Sequence, residues 1–498
     1  MSLQHLYLAL LAGGLVVLVS VVATRVADRI GLPSLLLFLG LGVLLGEDAI
    51  GIQFDDARLA QSLGTAALAV ILIEGGLTTR WADIRRSVAP ASVLASLGVA
   101  ISMAVTAVGA HLLVDLSWQL SLLVGATVSS TDAAAVFSVL RVLPIVKRTA
   151  GLLEAESGLN DAPSVILVLV LSETPFHLDA ASLIWHLGYE LAAGAIIGLV
   201  VARLGALALP RLALPASGLY PLATFALCVV AFAAAGAAQA SGFLAAYLAA
   251  LVLANSGLPH RAATRSFAEG LAQLAQIGLF VLLGLLVTPS QLPGQIVPAV
   301  VIGLVLLLVA RPLSVLISLL PFRVPIREQA FISWAGLRGA VPIVLTTFAM
   351  VSDVPDSDRL LNIVFLLVAI YTLIQGPSLA PLARTLNLSP KEAAREIVVE
   401  SAPLDVLDAE LLAMTIPQGS KLNSVSILEL RLPKPSIITM IIRDGQTFVP
   451  ASDTQIRAGD ELLIVTTRTL RDTTERRLRA VHRAGPLAHW LGETGRHR

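Results

Sequence analysis

Apolar residues along this chain come in long unbroken runs, not in the alternation expected of half-buried strands or surface helices. Runs of ~17–25 predominantly apolar residues, enough to cross ~30 Å of hydrocarbon, fall near 4–24, 32–47, 60–78, 88–114, 117–140, 154–172, 183–207, 218–237, 240–256, 268–287, 294–320, 328–350 and 360–383. The pattern predicts an α-helical polytopic membrane protein of about thirteen transmembrane helices, with a transmembrane domain over residues 1–386. The first run has no basic stretch before it and exceeds a signal-peptide core, so it reads as a retained helix. A charged linker then spans 387–401, followed by a small α+β domain over 402–469 and a basic tail over 470–498. In the small domain the pattern predicts strands at 410–416, 437–443, 446–449 and 461–466, a short helix at 422–430, and a hairpin turn at Asp444-Gly445.

Composition agrees with the runs. Hydrophobic residues make up 56% and charged residues 14%, against about 25% charged in a soluble protein; a soluble multidomain enzyme is excluded for most of the chain. Formal net charge is zero, so no global basic field points to nucleic acid. The single cysteine, Cys228, lies in an apolar run and reads as a small buried hydrophobe.

The loops carry the topology. Alternate loops hold Arg25 and Arg29; Arg80, Arg85 and Arg86; Arg141, Lys147 and Arg148; Arg203 and Arg211; Arg261 and Arg265; Arg323 and Arg327. The others collect acids: Glu47, Asp48, Asp55 and Asp56, then Asp353, Asp356 and Asp358. The positive-inside rule places the N-terminus outside and everything after Ala383 in the cytoplasm.

Ionisable residues inside apolar runs are costly and mark cavities or ion paths. The fifth run contains Ser129-Ser130-Thr131-Asp132, the sixth opens Glu154-Ala155-Glu156-Ser157-Gly158-Leu159-Asn160-Asp161, and the twelfth carries Gly336-Leu337-Arg338-Gly339-Ala340-Val341-Pro342. On a helix Glu156 and Asn160 share one face, as do Ser157 and Asp161. Two interrupted spans, one in each half, predict discontinuous helices at a midplane site, the mark of inverted repeats. Arg311, ahead of Pro312, reads as an anchor at the inner leaflet.

At these residues the chain resembles the bacterial monovalent cation:proton antiporters of the Na+/H+ exchanger class, the electroneutral branch. The match covers about residues 5–385 and rests on Ser130-Thr131-Asp132, Glu156-Ser157-Gly158-Leu159-Asn160-Asp161 and Gly336-Leu337-Arg338-Gly339-Ala340. The resemblance implies a core domain that moves against a dimerisation domain in a homodimer, with unwound segments crossing near the site. It implies that Asp161 exchanges a proton for K+ or Na+, that Thr131, Ser157 and Glu74 offer oxygens, that Asn160 positions Asp161, and that Arg338 pairs with Glu156. Asp132 reads either as an ion contact or as the cap of a half-helix; Glu74 reads either as a ligand or as an interfacial residue near a span end. The chemistry follows without the family. A carboxylate in a narrow, partly dry cavity holds a proton or a cation but not both, and that exclusion is antiport. One such acid beside the neutral Asn160 predicts one cation per proton and no net charge moved.

The small domain resembles the C-terminal lobe of the modules that regulate potassium conductance, the TrkA-C type. The residues are Ile416-Pro417-Gln418-Gly419-Ser420-Lys421-Leu422, Ile442-Arg443-Asp444-Gly445, Val449-Pro450 and Gly459-Asp460-Glu461-Leu462. The resemblance implies a dimer cleft, either binding a cyclic dinucleotide or another small regulator or serving dimerisation alone, and it favours K+ by association. No Gly-x-Gly-x-x-Gly half precedes it, and no cofactor is expected. A regulated cation channel is the rival function, against which stands the lack of a Thr-Val-Gly-Tyr-Gly filter. A membrane enzyme finds no His or Cys cluster or nucleophile motif.

Overall fold

The computed structural model describes residues 3–30, 33–48, 50–132, 145–173, 180–212, 214–216, 218–258, 260–388, 399–404, 409–467, 469–488 and 490. They form two units, Met1–Ser389 and Pro390–Arg498.

In the first unit the apolar runs are helices, in order: α1 (Leu3–Ile30), α2 (Ser34–Leu45), α3 (Ala57–Thr78), α4 (Val88–Val114), α5 (Trp118–Ser129), α6 (Lys147–Leu171), α7 (Ala180–Leu212), α8 (Leu219–Ala237), α9 (Gly242–Ala254), α10 (Arg261–Leu285), α11 (Pro293–Phe322), α12 (Ile326–Trp334), α13 (Ala340–Val351) and α14 (Ser357–Thr385). Among the described residues, eight helices are long and apolar enough to cross a membrane by length and composition. Helix α6 is as long as several of them, but Glu154, Glu156 and Asp161 interrupt its apolar character. Burial is distributed as lipid solvent requires. Leu8, Leu15, Val22, Trp185, Leu204 and Leu308 are exposed on the outside, while Glu156, Asn160, Asp161, Arg311 and Arg338 are buried.

Two of the runs break where the sequence placed chemistry. The run at 328–350 is not one helix but two, α12 and α13, separated by the non-helical residues 335–339. In the run at 117–140, α5 stops at Ser129 and Ser130 is extended; residues 133–144 lie outside the described ones. Helices α4 and α11 each contain a π-bulge, Leu94–Gly98 and Leu306–Ala310. The second adds a residue just before Arg311 and turns the helix phase by about a quarter of a turn there.

The second unit is one antiparallel sheet in the order β1-β2-β5-β3-β4, with β1 (Val399–Leu404), β2 (Ala409–Thr415), β3 (Ile437–Arg443), β4 (Gln446–Phe448) and β5 (Glu461–Thr467), followed by α15 (Arg471–Ala484). Leu412 pairs with Ile464 and Ile441 with Leu462, so the buried faces of the central strands meet in one core with Leu478 and Val481 of α15. At the hairpin Arg443 pairs with Gln446 across Asp444 and Gly445, both at positive φ, the turn that the dipeptide predicts. The domain is larger than its sequence boundaries. Strand β1 starts within the stretch read as linker, and α15 lies in the stretch read as tail, where Arg476, Arg477, Arg479 and Arg483 conceal the apolar stripe of Thr474, Leu478 and Val481. The helix expected at 422–430 is a series of turns ending in a short 3-10 helix, Leu428–Leu430, because Ser424 sits at φ 69° and breaks the helical path.

Candidate functional site

The ends of the broken helices cross and cap one another. Helix α5 ends with unsatisfied carbonyls, and α13 begins with unsatisfied N–H groups. Arg338, in the 335–339 break, donates from Nε to the carbonyl of Val128 in the last turn of α5 at 2.6 Å. Asp132, just past α5, accepts from the Ala340 amide at the start of α13 at 3.3 Å, and its own amide donates to the Leu337 carbonyl at 2.9 Å. A cation thus sits at a helix C-terminus and an anion at a helix N-terminus, each where the helix dipole favours it. Gly339 makes the crossing possible, since a Cβ there would lie 1.5 Å from an Asp132 carboxylate oxygen. Helix α14 closes the remaining backbone gaps. Thr372 Oγ1 donates to the Arg338 carbonyl at 2.7 Å, and Gln375 Nε2 to that of Trp334 at 2.8 Å.

Against this crossing lies the polar face of α6. Ser130 Oγ donates to an Asp161 carboxylate oxygen at 2.5 Å. Asn160 Nδ2 donates to Thr131 Oγ1 at 2.6 Å, and Thr131 Oγ1 lies 3.2 Å from Ser157 Oγ. The Asn160 side-chain amide oxygen is buried with no hydrogen-bond partner among the described residues. Asp161, Ser157, Thr131 and Asn160 are all at most 4% exposed. Asp132 and Asp161 share the lining of a small cavity with Gln276 and Phe280 of α10 and Ala340 of α13. The arrangement is an oxygen-rich, narrow pocket at a helix crossing.

The ion pair expected between Glu156 and Arg338 is not formed. Glu156 is paired instead with Arg311 of α11, through two hydrogen bonds of 2.6 and 2.8 Å between side chains 1% and 4% exposed. Arg338 spends its donors on the carbonyls of Val128 and Gly336, because it lies in the break where those carbonyls have lost their helical partners. Arg311 is therefore no interfacial anchor; it is buried, and the π-bulge before it gives α11 the phase that meets α6.

The Sodium/hydrogen exchanger, transmembrane, family matches residues 15–385. The chain belongs to the sodium/hydrogen exchanger family. The TrkA-C domain matches residues 411–479, which takes in β2 to β5 and most of α15. The K(+)/H(+) antiporter NhaP of Alkalimonas amylolytica is 38% identical over 475 residues, covering 93% of this chain and 82% of that protein. The K(+)/H(+) antiporter NhaP2 of Shewanella baltica (strain OS223) is 36% identical over 470 residues, 91% of this chain and 80% of the relative. Among solved structures, the sodium proton antiporter MjNhaP1 from Methanocaldococcus jannaschii at pH 8 aligns with a TM-score of 0.66 at 20% identity, covering 74% of this chain and 99% of that one; this likeness is one of fold.

Within this exchanger the expected site residues divide into those brought together and those set apart. Asp161, Asn160, Ser157, Thr131 and Asp132 converge, Asp132 as a cap that also borders the cavity. Glu74 is half-buried near the end of α3, the helix that contributes Leu68, Ile71 and Leu72 to the cavity, and is not itself among the lining residues. Three contributors were given no site role from the sequence. Ser130 adjoins Thr131 in the same motif, and Gln276 is an amide in the middle of an apolar run, a signal of the same kind as a buried charge. Arg311 was visible as a charge in the run at 294–320, but its facing direction depends on a π-bulge that has no clear sequence mark.

Proposed function

We propose that this exchanger is a secondary transporter that trades a monovalent cation, K+ in preference to Na+, for H+ by alternating access, with Asp161 as the shared carboxylate. One observation carries the reading. Of the buried acids at the crossing, Glu156 has Arg311 and Asp132 has the amide at the start of α13, whereas Asp161 has a hydroxyl from Ser130. A buried carboxylate whose partner among the described residues is a hydroxyl holds a proton or a cation, one displacing the other. Ser157, Thr131 and the Asn160 side-chain amide oxygen supply further oxygens, and the neutral Asn160 leaves one exchangeable charge, hence one cation per proton. K+ is preferred on the names of the relatives at 36–38% identity. The protein acts as a homodimer in a bacterial plasma membrane, N-terminus outside, with the C-terminal domain in the cytoplasm binding a small regulator.

Reconstitution with a voltage-sensitive dye tests the stoichiometry. Addition of K+ to the outside of proteoliposomes is expected to move protons without developing a membrane potential, and Na+ to do so more weakly. A K+ diffusion potential that forms without proton movement would identify a channel.

A further inference from the structure

Where α3 and α9 end and α6 begins, a second group of oxygens stands in line with Asp161. Glu154 precedes Asp161 by seven residues on α6, almost two full turns and ~10 Å along the axis, so the two carboxylates face the same way. Asp161 is buried and Glu154 only half-buried, an inner and an outer position on one line. Glu154 accepts a 2.7 Å hydrogen bond from Thr79, the residue that caps the end of α3. The Tyr247 side chain of α9 is 3% exposed, and its hydroxyl, beside Thr79 and Glu154, has no fully formed hydrogen bond among the described residues. Gly158 admits it there, since a Cβ at that position would come 2.4 Å from the Tyr247 ring.

A buried hydroxyl without a fully formed hydrogen bond beside a carboxylate is an incomplete polar group, and such groups are costly unless something completes them. A partly hydrated alkali cation does so, neutralising the carboxylate and taking lone pairs from both hydroxyls. The other charges facing Glu154 are exposed ones, Asp83 in the turn after α3 and Arg265 at the start of α10, the latter engaged with Glu269 at 3.0 Å. The same end of the bundle carries the basic loops with Arg80, Arg85, Arg86 and Arg148.

Resting on the reading of Asp161 as the exchanging carboxylate, we propose that Glu154, Thr79 and Tyr247 form an outer site for a hydrated monovalent cation at the basic-loop face, on the way to Asp161. The test titrates K+ against the full-length protein in everted membrane vesicles, with Asp161→Asn run alongside. Glu154→Gln keeps an acceptor for Thr79 and removes the charge. It is expected to raise the half-saturating K+ concentration about three- to tenfold, more than it lowers the maximal rate, and Glu154→Asp to restore most of the loss. Tyr247→Phe is expected to raise it about two- to fivefold, and serves as the test if Glu154→Gln inserts poorly. An unchanged half-saturating concentration in the inserted variants overturns the outer site and leaves Glu154 as a tie between α3 and α6. If Asp161→Asn is inactive while Glu154→Gln matches wild type, the outer site alone fails. If Asp161→Asn exchanges normally, the underlying reading fails and the outer site with it.

Discussion

Glu156 and Asp161 lie five residues apart on α6, both buried, and their partners separate their roles. Glu156 and Arg311 form a bidentate pair whose rupture leaves an uncompensated buried charge, a loss of ~3–5 kcal/mol. Arg311→Met is therefore expected to lower the thermal midpoint in detergent steeply, and the double variant Glu156→Leu with Arg311→Met to recover most of it. Were Arg338 the true partner of Glu156, Arg338→Met would be rescued by the Glu156 change and Arg311→Met would not. On the proposed mechanism Asn160 keeps the site singly charged. Asn160→Asp adds a second acid beside Asp161 and is expected to make exchange respond to membrane voltage and to shift its pH profile, measured in proteoliposomes with and without a potential clamp. An unchanged rate, pH optimum and voltage response would remove Asn160 from the site. At this scale the sequence was legible wherever a charge or amide interrupted an apolar run. It was silent on pairing, because which of two arginines meets Glu156 depends on helix phase and on which carbonyls the breaks leave free.

Broken helices are the element on which the site depends. The crossing needs Asp132 at the start of α13, Arg338 at the end of α5 and no side chain at position 339. Gly339→Ala drives a methyl group into the Asp132 carboxylate and is expected to abolish exchange. Asp132→Asn retains an acceptor for the Ala340 amide and is expected to keep the fold, while Asp132→Ala forfeits the cap, at a cost of ~1 kcal/mol, seen as a lower thermal midpoint. Equal stability of the two Asp132 variants would deny it a capping role. The Gly- and Pro-bearing segment at 336–342 predicted an interruption because such residues weaken a helix. The placing of the break at 335–339 rests on Thr372 and Gln375 of α14, whose spacing alone does not announce that they serve another span. Helix α15, which the tail's sequence only suggests, is weakly marked for the opposite reason: its apolar stripe is narrow and its arginines dominate the local composition.

For the whole molecule, the second unit contains no apolar run long enough to cross a membrane among its described residues, and the residues of the proposed ion site all belong to the first. Truncation after Ala394 is expected to leave cation:proton exchange measurable while altering its dependence on cytoplasmic pH or on an added small ligand; a folded, inserted but inactive product would make the domain part of the transport machinery. The domain has its own acid sensitivity. Burial opposes the Asp460 anion, but hydrogen bonds from Arg443 at 2.8 Å and from the Arg457 amide at 2.7 Å outweigh it and hold its carboxyl below the ordinary 3.8. A depressed carboxyl stabilises the fold at pH above its unfolded value, and the gain is lost as pH falls from there through the folded value. Arg443→Met is expected to speed amide hydrogen exchange in β3 and β5 at neutral pH and to flatten its acceleration on the acid side.

The central claim is that one carboxylate carries both ions. Its most direct test is the lumenal pH of proteoliposomes containing purified wild-type or Asp161→Asn protein, recorded after K+ is added outside. Wild type is expected to alkalinise the lumen as K+ enters and H+ leaves, and Asp161→Asn, matched for insertion, to give no response. A variant that retains more than about a tenth of the wild-type rate, a barrier change of less than ~1.4 kcal/mol, would contradict the account.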